Sequence, residues 1–262
     1  METLLVDRTD GVVTLTLNRP DKANAINGRM WRELLAVFQE ITDNPDDRVL
    51  VITGAGKAFC SGADLGDPEA GVDIASGVGS SLRKMRLVGR VALGLHELAI
   101  PTIAAVNGVA AGAGCNLALG CDLVVASDTA RFSEIFSKRA LSVDFGGSWL
   151  LPRLVGLHKA KELVFLADVI SAAEAERIGI LNRVVPPADL DATVAELAAR
   201  LAALPPIQLS VSKRLLNQSL SVTMAEAVES EDIAQVMNFG SNDTAEAVTA
   251  FLKKRDAKFT GE

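Results

Sequence analysis

The chain has 262 residues, a net charge of −7 and 49% hydrophobic residues. That length can bury one sizeable core with a helical appendage. The negative charge argues against non-specific binding to nucleic acid, and no apolar run reaches the length of a membrane span.

In chain order, the sequence predicts strands that each run into a tight turn and then a helix. The N-terminus, METLLVDRTDG, is too acidic and too short in apolar residues for a signal peptide, so we expect a cytoplasmic protein. Short apolar or alternating runs predict strands at 3–7, 12–17, 49–52, 103–106, 123–126 and 183–185. Helical spacing or capping signals predict helices at 28–43, 82–98, 115–119, 171–179, 189–204, 206–218, 223–238 and 242–255. The segment 66–81 has no periodicity and predicts a loop of the kind that often covers a pocket.

Two turns made of small residues follow two of the predicted strands. One is GAGKAFCSGADL at 54–65, and the other lies within IAAVNGVAAGAGCNLALGCD at 103–122. The first amides of a helix have no partner inside it, and small side chains leave them open to a ligand. The two turns together can supply one N–H each to a single oxyanion or polarised carbonyl.

Together, KAFCSGADL and PTIAAVNGVAAGAGCNLALGCD resemble the crotonase, or enoyl-CoA hydratase/isomerase, superfamily. The resemblance covers nearly the whole chain, from the first hairpin to the C-terminal FLKKRDAKF. It implies an α/β fold with a superhelical core of repeated strand-strand-helix units over residues 1–200. Residues 201–262 would form a helical trimerisation segment, giving a homotrimer or a dimer of trimers. The implied ligand is an acyl-CoA thioester, so coenzyme A is part of the substrate and no separate cofactor is expected.

The resemblance also assigns site residues. The backbone N–H groups of Ala63 and Ala113 would form the oxyanion hole. Further implied substrate contacts are Lys22, Ala23, Ala25, Asp64, Leu65, Gly112, Asn116, Phe136 and Val143. A C-terminal patch of Phe251, Lys254, Lys258 and Phe259 matches the family's contacts near the adenine, although a purely structural role is equally open for these four.

The sequence offers more than one candidate for the catalytic carboxylate. The two glutamates of a hydratase of this family correspond here to Asn116 and Phe136, neither of which carries a proton at neutral pH. Glu134 lies nearby, but in a regular strand its side chain would lie on the same face as that of Phe136. If the segment is irregular, the Glu134 side chain could point into the site. We favour Asp144, because SVDFGGSWLLPRL resembles the family's isomerases, including the epoxyphenylacetyl-CoA isomerases. The alternative is that Asp144 caps the helix that begins near Ser148.

Three functions therefore stay open from the sequence. The favoured one is double-bond isomerisation of an enoyl-CoA by one aspartate. Hydration is the second and would need Glu134 to face the thioester, while the third is acyl-CoA binding without catalysis. Dehalogenation is disfavoured because Gly89 stands where that reaction's histidine belongs. The three cysteines, Cys60, Cys115 and Cys121, fit no metal-site spacing and predict reduced core residues, and no metal is expected.

Overall fold

The computed structural model describes residues 1–67 and 77–262. Its strands are β1 (Leu4–Thr9), β2 (Val12–Leu17), β3 (Val49–Gly54), β4 (Ala58–Cys60), β5 (Thr102–Val106), β6 (Val109–Ala111), β7 (Leu123–Ser127), β8 (Arg131–Ser133), β9 (Ile170–Ser171) and β10 (Arg183–Val185). Its helices are α1 (Gly28–Asp43), α2 (Val78–His96), α3 (Ala113–Leu119), α4 (Gly147–Leu166), α5 (Ala172–Arg177), α6 (Leu190–Ala202), α7 (Pro206–Gln218), α8 (Met224–Phe239) and α9 (Asn242–Lys253).

The strands form two sheets that the chain visits alternately. The larger sheet has the order β1-β2-β3-β5-β7-β10, and the smaller has the order β4-β6-β8-β9. Apart from β1 and β9, which pair antiparallel with β2 and β8, all neighbouring strands are parallel. The chain thus repeats a long strand, a short strand and a helix, as in β3-β4-α2 and β5-β6-α3. This confirms the predicted superhelical α/β core of strand-strand-helix units.

Burial follows the sequence periodicity that predicts the elements. Every residue of β5 is buried, as expected for a parallel strand covered on both faces. Helix α1 buries Trp31, Leu34, Phe38 and Ile41 at helical spacing against the main core. A smaller cluster lies between the large sheet and α6. The site described below lies at the other face, where the short strands lead into their helices.

Some predicted boundaries are wrong. Helix α2 begins at Val78, inside the segment predicted as a loop, while residues 68–76 of that segment lie outside the described residues. Helix α3 begins at Ala113, two residues earlier than predicted, because Gly112 adopts a positive φ of 53° that ends β6 abruptly. The predicted C-terminal helices are all present as α6 to α9.

Over residues 1–67 and 77–262, no helix taken singly is both long enough and apolar enough to cross a bilayer. The segments Pro187–Ala202 and Pro206–Gln218 meet that requirement only as a pair bent by 105°, on length and composition alone.

Candidate active site

A cavity of about 310 Å³ opens between the two turns of small residues. Its walls come from both turns, α1, α2 and the short 3-10 helix Ile135–Arg139 that follows β8. Six of the residues assigned from the sequence lie in this lining: Ala63, Leu65, Gly112, Ala113, Phe136 and Asp144. The structure therefore brings the two proposed amide donors and the proposed catalytic carboxylate to one cavity.

The first amide is presented by a single parallel bridge between two loops. Ile26 donates its N–H to the carbonyl of Gly62 at 2.8 Å and accepts from the N–H of Asp64 at 2.9 Å. Because these two bonds use the neighbours of Ala63, the peptide N–H of Ala63 itself points away from Ile26. Within the described part of the chain, this N–H has no hydrogen-bond acceptor. It is therefore available to a ligand in the cavity.

The second amide belongs to the first residue of α3. The chain turns at Gly112, whose φ of 53° and ψ of −126° suit glycine alone. The first bond of the helix runs from the N–H of Asn116 to the carbonyl of Gly112 at 3.0 Å, so the N–H of Ala113 precedes the ladder. No acceptor for the Ala113 N–H is found in residues 1–67 and 77–262. The N-terminus of α3 carries a partial positive charge, which strengthens the attraction of the Ala113 N–H for an oxyanion.

Close packing of glycines brings the two turns together. A Cβ on Gly62 would lie 2.9 Å from the carbonyl oxygen of Ala111 and 3.8 Å from the backbone nitrogen of Ala113. A Cβ on Gly114 would lie 2.4 Å from the carbonyl oxygen of Cys60. Only hydrogen atoms fit at these two positions, so the glycines set the separation of the two amide-bearing turns.

Asp144 lies on the loop before α4 and borders the cavity. Its Oδ1 is buried and has no hydrogen-bond partner among the described residues. Burial raises the pKa of this carboxyl to about 6. The residue that caps α4 is Gly146, and no side chain in residues 1–67 and 77–262 caps the helix. The capping role considered for Asp144 is therefore wrong, and its side chain stays open to the cavity.

Asn116 does not line the cavity as the sequence predicted. Its side chain is fully buried, and its amide nitrogen donates to Glu134 Oε2 at 3.3 Å and to the carbonyl oxygen of Asp144 at 3.0 Å. Glu134 is only 3% exposed and lies behind the cavity wall, next to Cys115 and Asn116. Desolvation is the main reason that the pKa of Glu134 rises to about 7. The Asn116 amide thus links the Glu134 carboxyl to the backbone carbonyl of Asp144, and of these three residues only Asp144 lines the cavity.

The loop assigned to coenzyme A lies beside the cavity rather than in its lining. Lys22 is exposed, and the carbonyls of Lys22 and Ala23 accept hydrogen bonds from the side chain and backbone of Ser61. Arg19 joins the carbonyl of Ala25 to the carboxylate of Asp64, with a 2.8 Å ion pair. Asp64 therefore connects the two loops and does not face the cavity. Val143 is half-buried and also lies outside the lining.

The C-terminal residues assigned to the adenine end lie on the surface. Phe251 is 83% exposed on α9, and Lys254 caps the end of that helix with a φ of 52°. Lys258 is exposed and Phe259 is half-buried in the tail beyond α9. None of the four lines the cavity.

Several residues that line the cavity were not predicted from the sequence. Trp31 packs in the core, where it stacks on Phe145 with ring centroids 5.6 Å apart, but it also borders the cavity. Met85 and Val88 extend one wall from α2, and Arg139 lines the cavity from the 3-10 helix. Helical spacing indicates which face of a helix is apolar, but it does not indicate whether that face meets a core or a cavity.

The cysteines are buried and free, as the sequence predicts. All three cysteines are buried and unpaired by disulfides, and burial raises the pKa of the Cys60 thiol to about 12. A thiol with that pKa is not a nucleophile at neutral pH. Over the described ranges, no group of three or more His, Cys, Asp or Glu side chains is arranged to hold a metal ion.

Comparisons with known proteins identify the family to which the chain is similar. The model of the family described as enoyl-CoA hydratase/isomerase matches residues 7–262. The chain is 39% identical to the 1,2-epoxyphenylacetyl-CoA isomerase of Escherichia coli (strain K12) over 265 residues, covering 100% of each. It is 35% identical to the short-chain-enoyl-CoA hydratase of Clostridium acetobutylicum, over 97% of this chain and 96% of that protein. A crystal structure of an enoyl-CoA hydratase from Bacillus anthracis matches with a TM-score of 0.94 and 30% identity, over 99% of this chain and 100% of that one.

Proposed function

Because the chain belongs to the enoyl-CoA hydratase/isomerase family, we propose that it moves the double bond of an enoyl-CoA, with Asp144 carrying the proton. One observation carries the proposal. In the described part of the chain, Asp144 is the only carboxylate that lines the cavity containing both unpaired amides.

The amides of Ala63 and Ala113 act on the thioester oxygen. They donate to it more strongly as it gains negative charge, which stabilises the enolate relative to the bound substrate. Loss of one such donor typically costs about 2.7–4 kcal/mol of transition-state stabilisation. The remaining acyl group would contact apolar side chains of the same cavity, among them Leu65 and Phe136.

Asp144 completes the reaction as a single proton carrier. With its pKa raised to about 6, it is mostly a carboxylate at pH 7 and a stronger base than an exposed aspartate. In a 3-enoyl thioester, it takes the proton from C2, and the electrons form a dienolate. The resulting carboxylic acid returns the proton to C4, which leaves the double bond between C2 and C3. The reaction consumes no water and requires no second carboxylate.

The rest of the substrate and the assembly follow as parts of the same proposal. Coenzyme A arrives as part of the substrate and runs along the loop that carries Lys22, Ala23 and Ala25. A homotrimer would cover the exposed apolar side chains of the C-terminal helices, which include Met224, Phe239, Phe251 and Leu252. In that assembly Phe251 and Lys254 would approach a neighbouring active site, since they lie far from the cavity lining of their own chain.

Hydration is the second candidate, and one observation favours it. Glu134 is a second carboxyl group near Asp144, and hydratases need two groups that hold a water molecule and move protons. Glu134 does not line the cavity, however, and Phe136 occupies the wall where a hydratase of the family has its second glutamate. This arrangement supports isomerisation over hydration.

The test is product analysis with purified protein and a 3-enoyl-CoA. We expect conversion to the 2-enoyl-CoA, seen by mass-resolved chromatography of the thioesters, and a loss of about 10²–10⁴-fold in kcat for Asp144→Asn. Ser142→Ala is the matched control, because Ser142 is exposed on the same loop and outside the lining. Accumulation of 3-hydroxyacyl-CoA from a 2-enoyl-CoA would establish hydration instead. Tight acyl-CoA binding without turnover of either substrate would establish a binding protein.

A further inference from the structure

The loop that carries Asp144 has a backbone conformation that contacts with other parts of the fold must stabilise. Phe145 follows it with a φ of 50°, and Gly146 comes next with a φ of 77°. The left-handed conformation costs a residue with a side chain about 1–2 kcal/mol, so contacts with other parts of the fold must hold Phe145 there. Two such contacts are visible. The ring of Phe145 stacks on Trp31, and the carbonyl of Asp144 accepts from Asn116.

Asn116 is in turn fixed from two further sides. One hydrogen of its amide group goes to the carbonyl of Asp144, and the other goes to Glu134 Oε2 at 3.3 Å. A Cβ on Gly147 would lie within 2.4–2.6 Å of the amide atoms of Asn116, so the first turn of α4 packs directly on this side chain. The amide group of Asn116 therefore donates both of its hydrogens to acceptors, and the packing of α4 restricts its rotation.

We infer that Glu134 is a positioning residue for Asp144 and acts through the Asn116 amide. The inference rests on the proposed function, in which Asp144 carries the proton. Glu134 follows β8 and is nearly completely buried, so it is a fixed anchor for the amide. Its contact holds the Asn116 nitrogen toward the Asp144 loop. Without it, Asn116 loses one of its two acceptors and the loop loses part of its support.

The protonation state of Glu134 depends on the groups that surround its carboxyl group. The groups that face it are the Cys115 thiol from α3, the Asn116 amide from α3 and the Asp144 carboxyl from the loop before α4. Among the described residues, Glu134 Oε1, Asp144 Oδ1 and Asn116 Oδ1 are buried without partners. A buried carboxylate with so few donors is costly, and burial accordingly raises the pKa of Glu134 to about 7. Ionisation of Glu134 above that pH places a second negative charge next to Asp144.

The experiment compares Glu134→Leu, which removes the acceptor, with Glu134→Gln, which keeps an acceptor and cannot ionise. We expect Glu134→Leu to lower kcat by at least about tenfold with little change in KM, and Glu134→Gln to restore most of that loss. Asp243→Asn is the matched control, because Asp243 is equally buried but accepts from the backbone of Thr260 and Gly261 at the far end of the chain. A folded Glu134→Leu protein with unchanged kcat, or equal losses in both Glu134 variants, would overturn the inference.

A second readout separates this inference from the proposed function. The carboxyl carbon of Asp144 can be followed by ¹³C NMR as pH is varied, after assignment with Asp144→Asn. We expect its titration in the wild type to be broadened by Glu134 and to become a single step in Glu134→Gln, and its chemical shift to move in Glu134→Leu. If no enoyl-CoA is turned over, these shifts still support the positioning role. An Asp144 signal that is identical in all three proteins overturns it.

Discussion

Replacement of Gly62 by alanine tests the convergence of the two amides most directly. Gly62 has a φ of 101°, which strains any residue with a side chain, and the new Cβ would lie 2.9 Å from the carbonyl oxygen of Ala111. Backbone strain of this kind costs about 1–2 kcal/mol, and in a domain of this size each kcal/mol lowers Tm by about 2–4 °C. We therefore expect Tm to fall by about 2–8 °C.

The effect on catalysis should be larger than the effect on folding. The new methyl group would lie between the turns that carry Ala63 and Ala113, so one amide would move out of hydrogen-bonding range of the thioester oxygen. Loss of one donor corresponds to about 10²–10³-fold in kcat. The assay combines turnover of a 3-enoyl-CoA at saturating substrate with a thermal melt, and Gly66→Ala serves as the control because Gly66 lies in the same loop outside the cavity lining. A folded Gly62→Ala protein with wild-type kcat would refute the oxyanion hole.

Two pH-dependent effects should follow from the raised carboxyl pKa values. Because the pKa of Asp144 is about 6, the ionised fraction falls about tenfold from pH 7 to pH 5, and kcat/KM should fall with it; a flat profile would exclude Asp144 as the base. Glu134 has a folded pKa of about 7 against an ordinary 4.5, so the stability linked to its protonated form is present below pH 4.5 and lost as pH rises through 7. In urea melts, Glu134→Gln should therefore gain up to about 3 kcal/mol relative to wild type between pH 4 and pH 8; a difference independent of pH would contradict this.

The sequence predicted the fold and the two amide-bearing turns because both depend on local patterns. A continuous apolar run predicts a buried parallel strand, and a following cluster of glycines and alanines predicts a turn without side chains over its amides. The resemblance then identified Ala63 and Ala113 as the donors. In the structure, neither amide has an acceptor among the described residues. The small residues of the two turns leave these N–H groups uncovered.

The orientation of Glu134 could not be predicted from the sequence. If the strand continued through Phe136, the side chains of Glu134 and Phe136 would point the same way. Strand β8 instead ends at Ser133, Glu134 has a φ of −83° and a ψ of 62°, and a 3-10 helix begins at Ile135. Phe136 consequently faces the cavity, while Glu134 turns under it toward Asn116. Where a short strand ends is set by tertiary packing, which periodicity does not describe.

The same cluster bears on the choice between the two candidate reactions. A residue that holds a hydratase's water must present a hydrogen-bonding group to the cavity, but the side chain of Asn116 is fully buried outside the cavity lining, where it donates to Glu134 and to the carbonyl of Asp144. Phe136 adds an apolar ring to the cavity wall, where a water molecule would find no partner. Among the described residues, one carboxylate with a raised pKa lines the cavity together with two amides that have no acceptor. Such a site can remove a proton from one carbon and return it to another, and that limited chemistry is sufficient for isomerisation.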